Sequence, residues 1–257
     1  MIHLGTSGFS YDDWVGKWYP EGTKKADMLR YYAQKFNAVE VNFTYYRMPT
    51  AKTLAQMAAK TPEGFQFAVK ATSEMTHDRT GEPEVFRVFQ EALAPLQERG
   101  QLGCILAQFP YSFKPEDENL AYLHWFKEQI PDLATVVEFR NRRWLTADTF
   151  DLLSELSLGF CCVDEPQLPG LLPPMALATS DTGYVRFHGR NAKEWFQHEE
   201  AWQRYNYLYS EDELKEWVGK VQQVAEATNQ TFVFFNNHFG GNAAVNASTF
   251  AELLGLT

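Results

Sequence analysis

The chain has 257 residues, 45% of them hydrophobic and 22% charged, with a net charge of −10. This size and balance suit a folded globular chain and exclude a disordered one. No run approaches the roughly 18 apolar residues of a membrane span, and the acidic balance argues against broad nucleic-acid binding while leaving room for a local basic pocket.

The first residues read as a strand, not as a basic-then-apolar leader. Cys104, Cys161 and Cys162 make an odd count, and the adjacent pair would face opposite sides of a strand. They read as small core residues, so a protein of the reducing cytoplasm is expected.

In chain order, Ile2–Ser7 is a strand ended by Gly-Thr-Ser-Gly, and a loop dense in aromatics follows (Tyr11, Trp14, Trp18, Tyr19). The spacing of Met28, Tyr31, Tyr32 and Phe36 predicts a helix over Asp27–Phe36. The stretch AVEVNFTYYR, Ala38–Arg47, opens as a second strand with period two, which sends Glu40 and Asn42 to one face. Thr50–Lys60 is a helix capped by Thr50. Strand and helix then alternate: Gln66–Ala71, Glu84–Arg99, Gly103–Phe109, Glu116–Gln129, Thr135–Arg140, Ala147–Leu156 and Leu158–Asp164. After a loop carrying Pro166, Pro169, Pro173 and Pro174, where any helix must be short, come a strand at Tyr184–His188 and a long aromatic loop. Ser210 and Glu213 form a capping box for a helix to about Ala227. Thr231–Asn237 and Asn246–Leu254 are the last strand and helix.

Eight strands alternating with helices imply parallel βαβ units, and eight units in a chain of this length imply one α/β domain, residues 1–257, folded as a TIM-type (β/α)8 barrel that is irregular around the sixth helix. A doubly wound sheet would need fewer units. In such a barrel the active site lies at the C-terminal ends of the strands. Polar residues collect there: Glu40 and Asn42, Lys70, Gln108, Glu138 with Arg140, Asp164, Arg186 with His188, and Asn236. Within a strand, Glu138 and Arg140 are two apart, as are Arg186 and His188, so each pair shares a face. Charges are costly in a core unless paired. Structural ion pairs such as Glu138–Arg140 or Glu40–Arg47 are the alternative explanation.

Seven segments, GTSGFSYDDWVGKWYP, FNAVEVNFTYYRMP, FAVKATSEMTH, AQFPYSF, VEFRNRRW, YVRFHGR and FFNNHFGGNAAVNA, span nearly the whole chain. On them the chain resembles the YecE-like family, also called domain of unknown function 72. The resemblance implies a TIM-type barrel and supplies no activity. It marks Glu40, Lys70, His77, Glu138, Arg140, Arg186, His188, Asn236 and Asn237 as positions that matter. Tyr45, where the family often has Phe, and Arg143, where it often has Ser, depart from the pattern without altering the chemistry.

Arg47, Lys70, Arg140, Arg186 and Arg190 suit an anionic ligand. Gly240 and Gly241, just before the last helix, add free backbone N–H groups of the kind that hold phosphate. Glu40, Glu138, Asp164, His188 and His77 are the candidates for acid–base work. Their carboxylates and imidazoles could hold a divalent ion, but no ligand-spaced pair of His is present and the neighbouring cations oppose one. No metal and no cofactor are therefore expected. Asn236 and Asn237 would orient a ligand. Tyr11 and Trp14, with the other loop aromatics, could stack on bases. The leading expectation is a hydrolase or lyase acting on a phosphate-bearing substrate, such as a nucleotide or single-stranded nucleic acid. The alternatives are a glycoside hydrolase using Glu40 and Glu138, or a non-catalytic binder of an anionic metabolite.

Overall fold

The computed structural model describes residues 1–200 and 202–256. Eight parallel strands form the barrel: β1 (Ile2–Thr6), β2 (Ala38–Val41), β3 (Gln66–Lys70), β4 (Leu102–Gln108), β5 (Thr135–Glu138), β6 (Leu158–Asp164), β7 (Thr182–Phe187) and β8 (Gln230–Phe235). They pair in the order β1-β8-β7-β6-β5-β4-β3-β2. Outside them lie α1 (Lys25–Tyr32), α2 (Ala51–Ala58), α3 (Pro83–Glu98), α4 (Asp117–Gln129), α5 (Ala147–Glu155), α6 (Glu211–Glu226) and α7 (Asn242–Leu253). This is the expected TIM-type barrel. The irregularity falls where the prolines put it, because no α-helix joins β6 to β7 among the described residues. Among the described residues no helix is long and apolar enough to cross a membrane.

Local chemistry sets the helix boundaries. Thr50 and Thr146 accept the backbone N–H of Thr53 and Thr149 and so open α2 and α5. Ser210 and Glu213 form the reciprocal capping box of α6. Gly100 ends the α3 connection with a φ of 61°, a conformation that favours glycine. At the floor of the barrel the Phe232 ring occupies the space beside Gly103, where a Cβ would lie 2.4 Å from the ring tip.

Closure between β1 and β2 uses side chains. Their direct backbone contact is the Ser7–Glu40 bridge at the top, where the Gly8 N–H donates to the Glu40 carbonyl at 2.8 Å. Below it, the Tyr32 hydroxyl accepts the Thr6 N–H at 2.7 Å and donates to the Ala38 carbonyl at 3.1 Å. Lower still, the Asn37 amide accepts from Leu4 N–H at 2.8 Å and donates to the Ile2 carbonyl at 3.3 Å. Two side chains thus replace ladder rungs that the backbones do not make. Tyr32→Phe keeps the ring and strands one buried donor and one buried acceptor. The expected loss is about 1–3 kcal/mol in a urea unfolding titration, and an unchanged midpoint would refute this account of the seam.

Candidate active site at the mouth of the barrel

The polar end of the barrel is built around one buried guanidinium. Arg186, from β7, is 2% exposed and reaches across the interior to two carboxylates. Its Nη2 meets Glu40 Oε1, from β2, at 2.7 Å, and its Nη1 meets Glu138 Oε2, from β5. The other oxygen of Glu40 accepts the Tyr184 hydroxyl at 2.7 Å. Glu138 Oε1 lies 2.6 Å from Arg140 Nε and 3.2 Å from His188 Nε2. The second ring nitrogen of His188 faces the Asn236 amide at 3.1 Å. One tautomer satisfies both contacts: Nε2–H donates to Glu138, and Nδ1 accepts from Asn236.

The electrostatics follow from this packing. Burial pushes the Glu138 carboxyl up, but Arg140, Arg186 and His188 outweigh burial and hold it well below the usual carboxylate range. Burial, reinforced by Arg140, pulls His188 down to about 3 despite Glu138. The buried network is therefore two carboxylates and two guanidiniums around a neutral imidazole. Such a network is costly to desolvate and stands only because its charges are mutually compensated.

Above it opens a mouth with two adjoining lobes. The larger, about 460 Å³, is walled by Phe9, Tyr11, Phe43, Tyr45, Tyr46, Met57, Tyr205 and His238, with Glu40, Asn42, Arg186 and Asn236 at its polar side. The smaller, about 330 Å³, is lined by Lys70, His77, Arg140, Arg204 and Trp195, with no carboxylate among the described residues. Lys70, Gln108 and Arg140 border both lobes. Lys70 Nζ donates to Gln108 Oε1 at 2.8 Å and lies 4.5 Å from the Tyr45 ring centre. Burial, then the Arg186 and Arg140 charges, lower this amine to about 7, against the pull of Glu138 and Glu40. His77 sits on a π-turn (Glu74–Asp78) after β3, and burial and Lys70 bring it to about 4. The Asn42 Oδ1 is buried beside the larger lobe without a hydrogen-bond partner.

Glu40, Asn42, Lys70, His77, Gln108, Arg140, Arg186, Asn236 and Tyr11 thus border the mouth, with Glu138 and His188 buried beneath it. The remaining sequence candidates lie elsewhere. Asp164 pairs in register with Phe187, whereas Arg186 pairs with Val163, so Asp164 points outward. There it accepts from Tyr209 at 2.6 Å, Trp217 at 2.6 Å and Arg190 at 2.8 Å. Arg190 also pairs with Glu216 at 2.8 Å, so both residues brace α6 against the barrel. Arg47 is exposed and lies over the Phe43 ring. Trp14 is buried, its indole N–H donating to the His238 carbonyl at 2.7 Å. The Asn237 amide ties the Tyr207 carbonyl to Asn246. Gly240 and Gly241 do not line the mouth, because the Asp13 carboxylate already accepts the Gly240 N–H at 2.6 Å. A resident carboxylate holds the place the sequence reading gave to phosphate.

Four contributors escaped sequence reasoning. Tyr184 was legible, standing two residues before Arg186 on the same strand. Arg204 and Tyr205 arrive from the β7–α6 loop and carry no local signal. Glu165 is buried and raised to about 7 by burial, its Oε2 lying 3.8 Å from Arg140 Nη1. Among the described residues, no three His, Cys, Asp or Glu side chains are grouped as metal ligands.

The family model described as "Protein of unknown function DUF72" matches residues 3–257. The chain is similar to the UPF0759 protein YunF of Bacillus subtilis, 34% identical over 99% of this chain and 95% of that one. It is similar in structure to a DUF72 family protein from Thermotoga maritima, with a TM-score of 0.92 and 42% identity over 99% of both chains. A second, from Enterococcus faecalis, gives 0.88 and 31% identity over 100% of this chain and 96% of that one. The chain belongs to the DUF72 family.

Two outcomes test the network. Arg186→Leu leaves Glu40 and Glu138 buried without their shared cation, and the expected cost is about 3–5 kcal/mol in chemical denaturation. The His188 imidazole is held below its ordinary value of 6.5, so the unfolded chain binds the extra proton first. Its contribution to stability is then present above pH 6.5 and lost as pH falls toward about 3. Relative to His188→Gln, the native chain should lose about 1.4 kcal/mol per pH unit in that window; parallel stability curves would overturn the assignment of a neutral His188.

Proposed function

We propose that this DUF72 family member is an enzyme, of the hydrolase or lyase class, acting on a small phosphate-bearing substrate at the mouth of the barrel. The observation that carries the reading is the pairing of lobes. A pocket of aromatic walls, suited to a ring, adjoins one whose charged lining is cationic, with Lys70, Gln108 and Arg140 at the junction. Arg140 and Arg204 would take the phosphate, since guanidinium donors match its oxygens. Cavities of a few hundred Å³ are the usual size for small-molecule sites. The proton-transferring group is Lys70, not Glu138 or His188. Glu138 is held as a carboxylate by two guanidiniums, and both nitrogens of His188 are engaged. An amine near 7 is poised for general-base work at neutral pH.

The glycosidase alternative fits less well. Such an enzyme keeps one carboxyl protonated as its acid, whereas here a single guanidinium holds both carboxylates. A binding-only role needs the cationic lobe but has no use for a lysine held near neutrality.

Adenosine monophosphate and adenosine, compared by thermal shift, separate phosphate recognition from ring stacking. The nucleotide should raise Tm by roughly 2–4 °C per kcal/mol of linkage, with adenosine well below it. Arg204→Ala should weaken the nucleotide about tenfold, the worth of one charge-assisted contact. Equal responses to the two ligands would refute the phosphate lobe. Once a turnover assay exists, its rate should rise with pH through about 7 as Lys70 loses its proton, and Lys70→Met should abolish that limb.

A further inference from the structure

We propose that Lys70 is a covalent catalyst, which forms an imine with a carbonyl group of the substrate and places the protein in the lyase arm of the function above. The proposal rests on that reading of the site, gives the neutral Lys70 amine the role of nucleophile instead of general base, and narrows the substrate class to phosphorylated aldehydes or ketones.

The geometry assembles what an imine-forming lysine requires. Lys70 stands at the last position of β3, so its backbone is fixed by the barrel while its amine reaches both lobes. Among the described residues no carboxylate lies within ion-pair distance of Nζ; its partner is the neutral Gln108 oxygen at 2.8 Å. An acceptor there orients one N–H without demanding a charged amine. The Tyr45 ring covers one side at 4.5 Å; the charges around the junction are the guanidiniums of Arg140 and Arg186, with Arg204 in the smaller lobe and, in the larger, the Glu40 carboxylate already paired with Arg186. A lysine among other cations in a partly desolvated pocket is the recognised setting for an amine nucleophile. At about 7, roughly half of it is neutral at pH 7, against less than about 0.1% for an ordinary lysine.

The step balances without a further reagent. The Nζ lone pair adds to the carbonyl carbon, the carbonyl π electrons pass to oxygen, and one proton moves from the nitrogen to that oxygen through solvent in the open mouth, giving a neutral carbinolamine. The carbinolamine hydroxyl then takes up a proton and leaves as water, giving a protonated imine. That cation draws electrons from the adjoining carbon, so a bond from that carbon breaks with its electron pair entering an enamine, while the other fragment leaves as a carbonyl compound after its hydroxyl gives up a proton. Protonation of the enamine carbon from solvent restores the imine, and its hydrolysis returns the lysine.

Pyridoxal phosphate is a suitable probe, since it carries a ring, a phosphate and an aldehyde. The protein is incubated with stoichiometric probe at several pH values, reduced with borohydride, digested and mapped by mass spectrometry. Hydride adds to the imine carbon and fixes the adduct. Expected is one phosphopyridoxyl group at Lys70, formed about tenfold faster than at the exposed Lys52 and Lys193. Its rate should turn over near pH 7, and inorganic phosphate should protect it. Lys70→Arg keeps the charge and should remove the adduct. Labelling of Lys70 no faster than of Lys52 overturns the covalent role. If adenosine monophosphate still binds in that case, the anionic-substrate reading survives alone; if it does not, both fall.

Discussion

The sharing of one buried guanidinium by two carboxylates governs the rest of this site. Arg186 can stay charged in the barrel only because Glu40 and Glu138 are both held against it. That requirement fixes β2, β5 and β7 at one level. Through Glu138 it also sets the positions of Arg140 and His188, and through His188 that of Asn236. A reader of the sequence meets these residues as a list of acids and bases. In the fold most of them hold one another in place.

This division of labour decides where the chemistry can reside. Both oxygens of each carboxylate in the lower network are engaged: Tyr184 and Arg186 hold Glu40, and Arg186, Arg140 and His188 hold Glu138. Glu40 and Arg186 reach the larger lobe already paired, and above them Lys70 and Gln108 meet the free face of Arg140 at the junction of the two lobes. The lower layer acts on Lys70 at a distance with both signs: Arg186 and Arg140 ease loss of the amine's proton, Glu138 and Glu40 oppose it, and burial contributes most. Changes in the network would then reach Lys70, the reacting group of the proposed function, through its basicity before they reached it through its position.

Much of this was legible in the sequence where a two-residue period governed. The pairs Glu138/Arg140 and Arg186/His188 were assigned to shared faces from spacing alone, and the strands that carry them lie where expected. Asp164 shows the limit. A lone polar residue at a strand end has no partner to fix its face, and only the register with β7 turns it toward α6. Gly240 and Gly241 failed for another reason: a helix start that suits an anion is equally suited to Asp13, brought in from a distant loop. Arg204 and Tyr205 were invisible because long loops fold back by tertiary contact and leave no periodic trace. Trp14, which looked available for stacking, is buried, its indole N–H spent on a loop carbonyl.

The seam between β1 and β2 has a consequence for how the chain reaches this state. Strand β1 makes its continuous ladder with β8, the strand farthest from it in sequence, and only a sparse contact with β2, its immediate successor. During synthesis the first strand therefore emerges long before its main partner exists. The ribosome must release most of the chain before the barrel can close, and contacts of such long sequence separation form late. Until then, Tyr32 and Asn37 offer β1 its provisional footing against β2. The two side chains that complete the wall in the finished barrel would in this way keep an early strand edge from finding a partner in another chain.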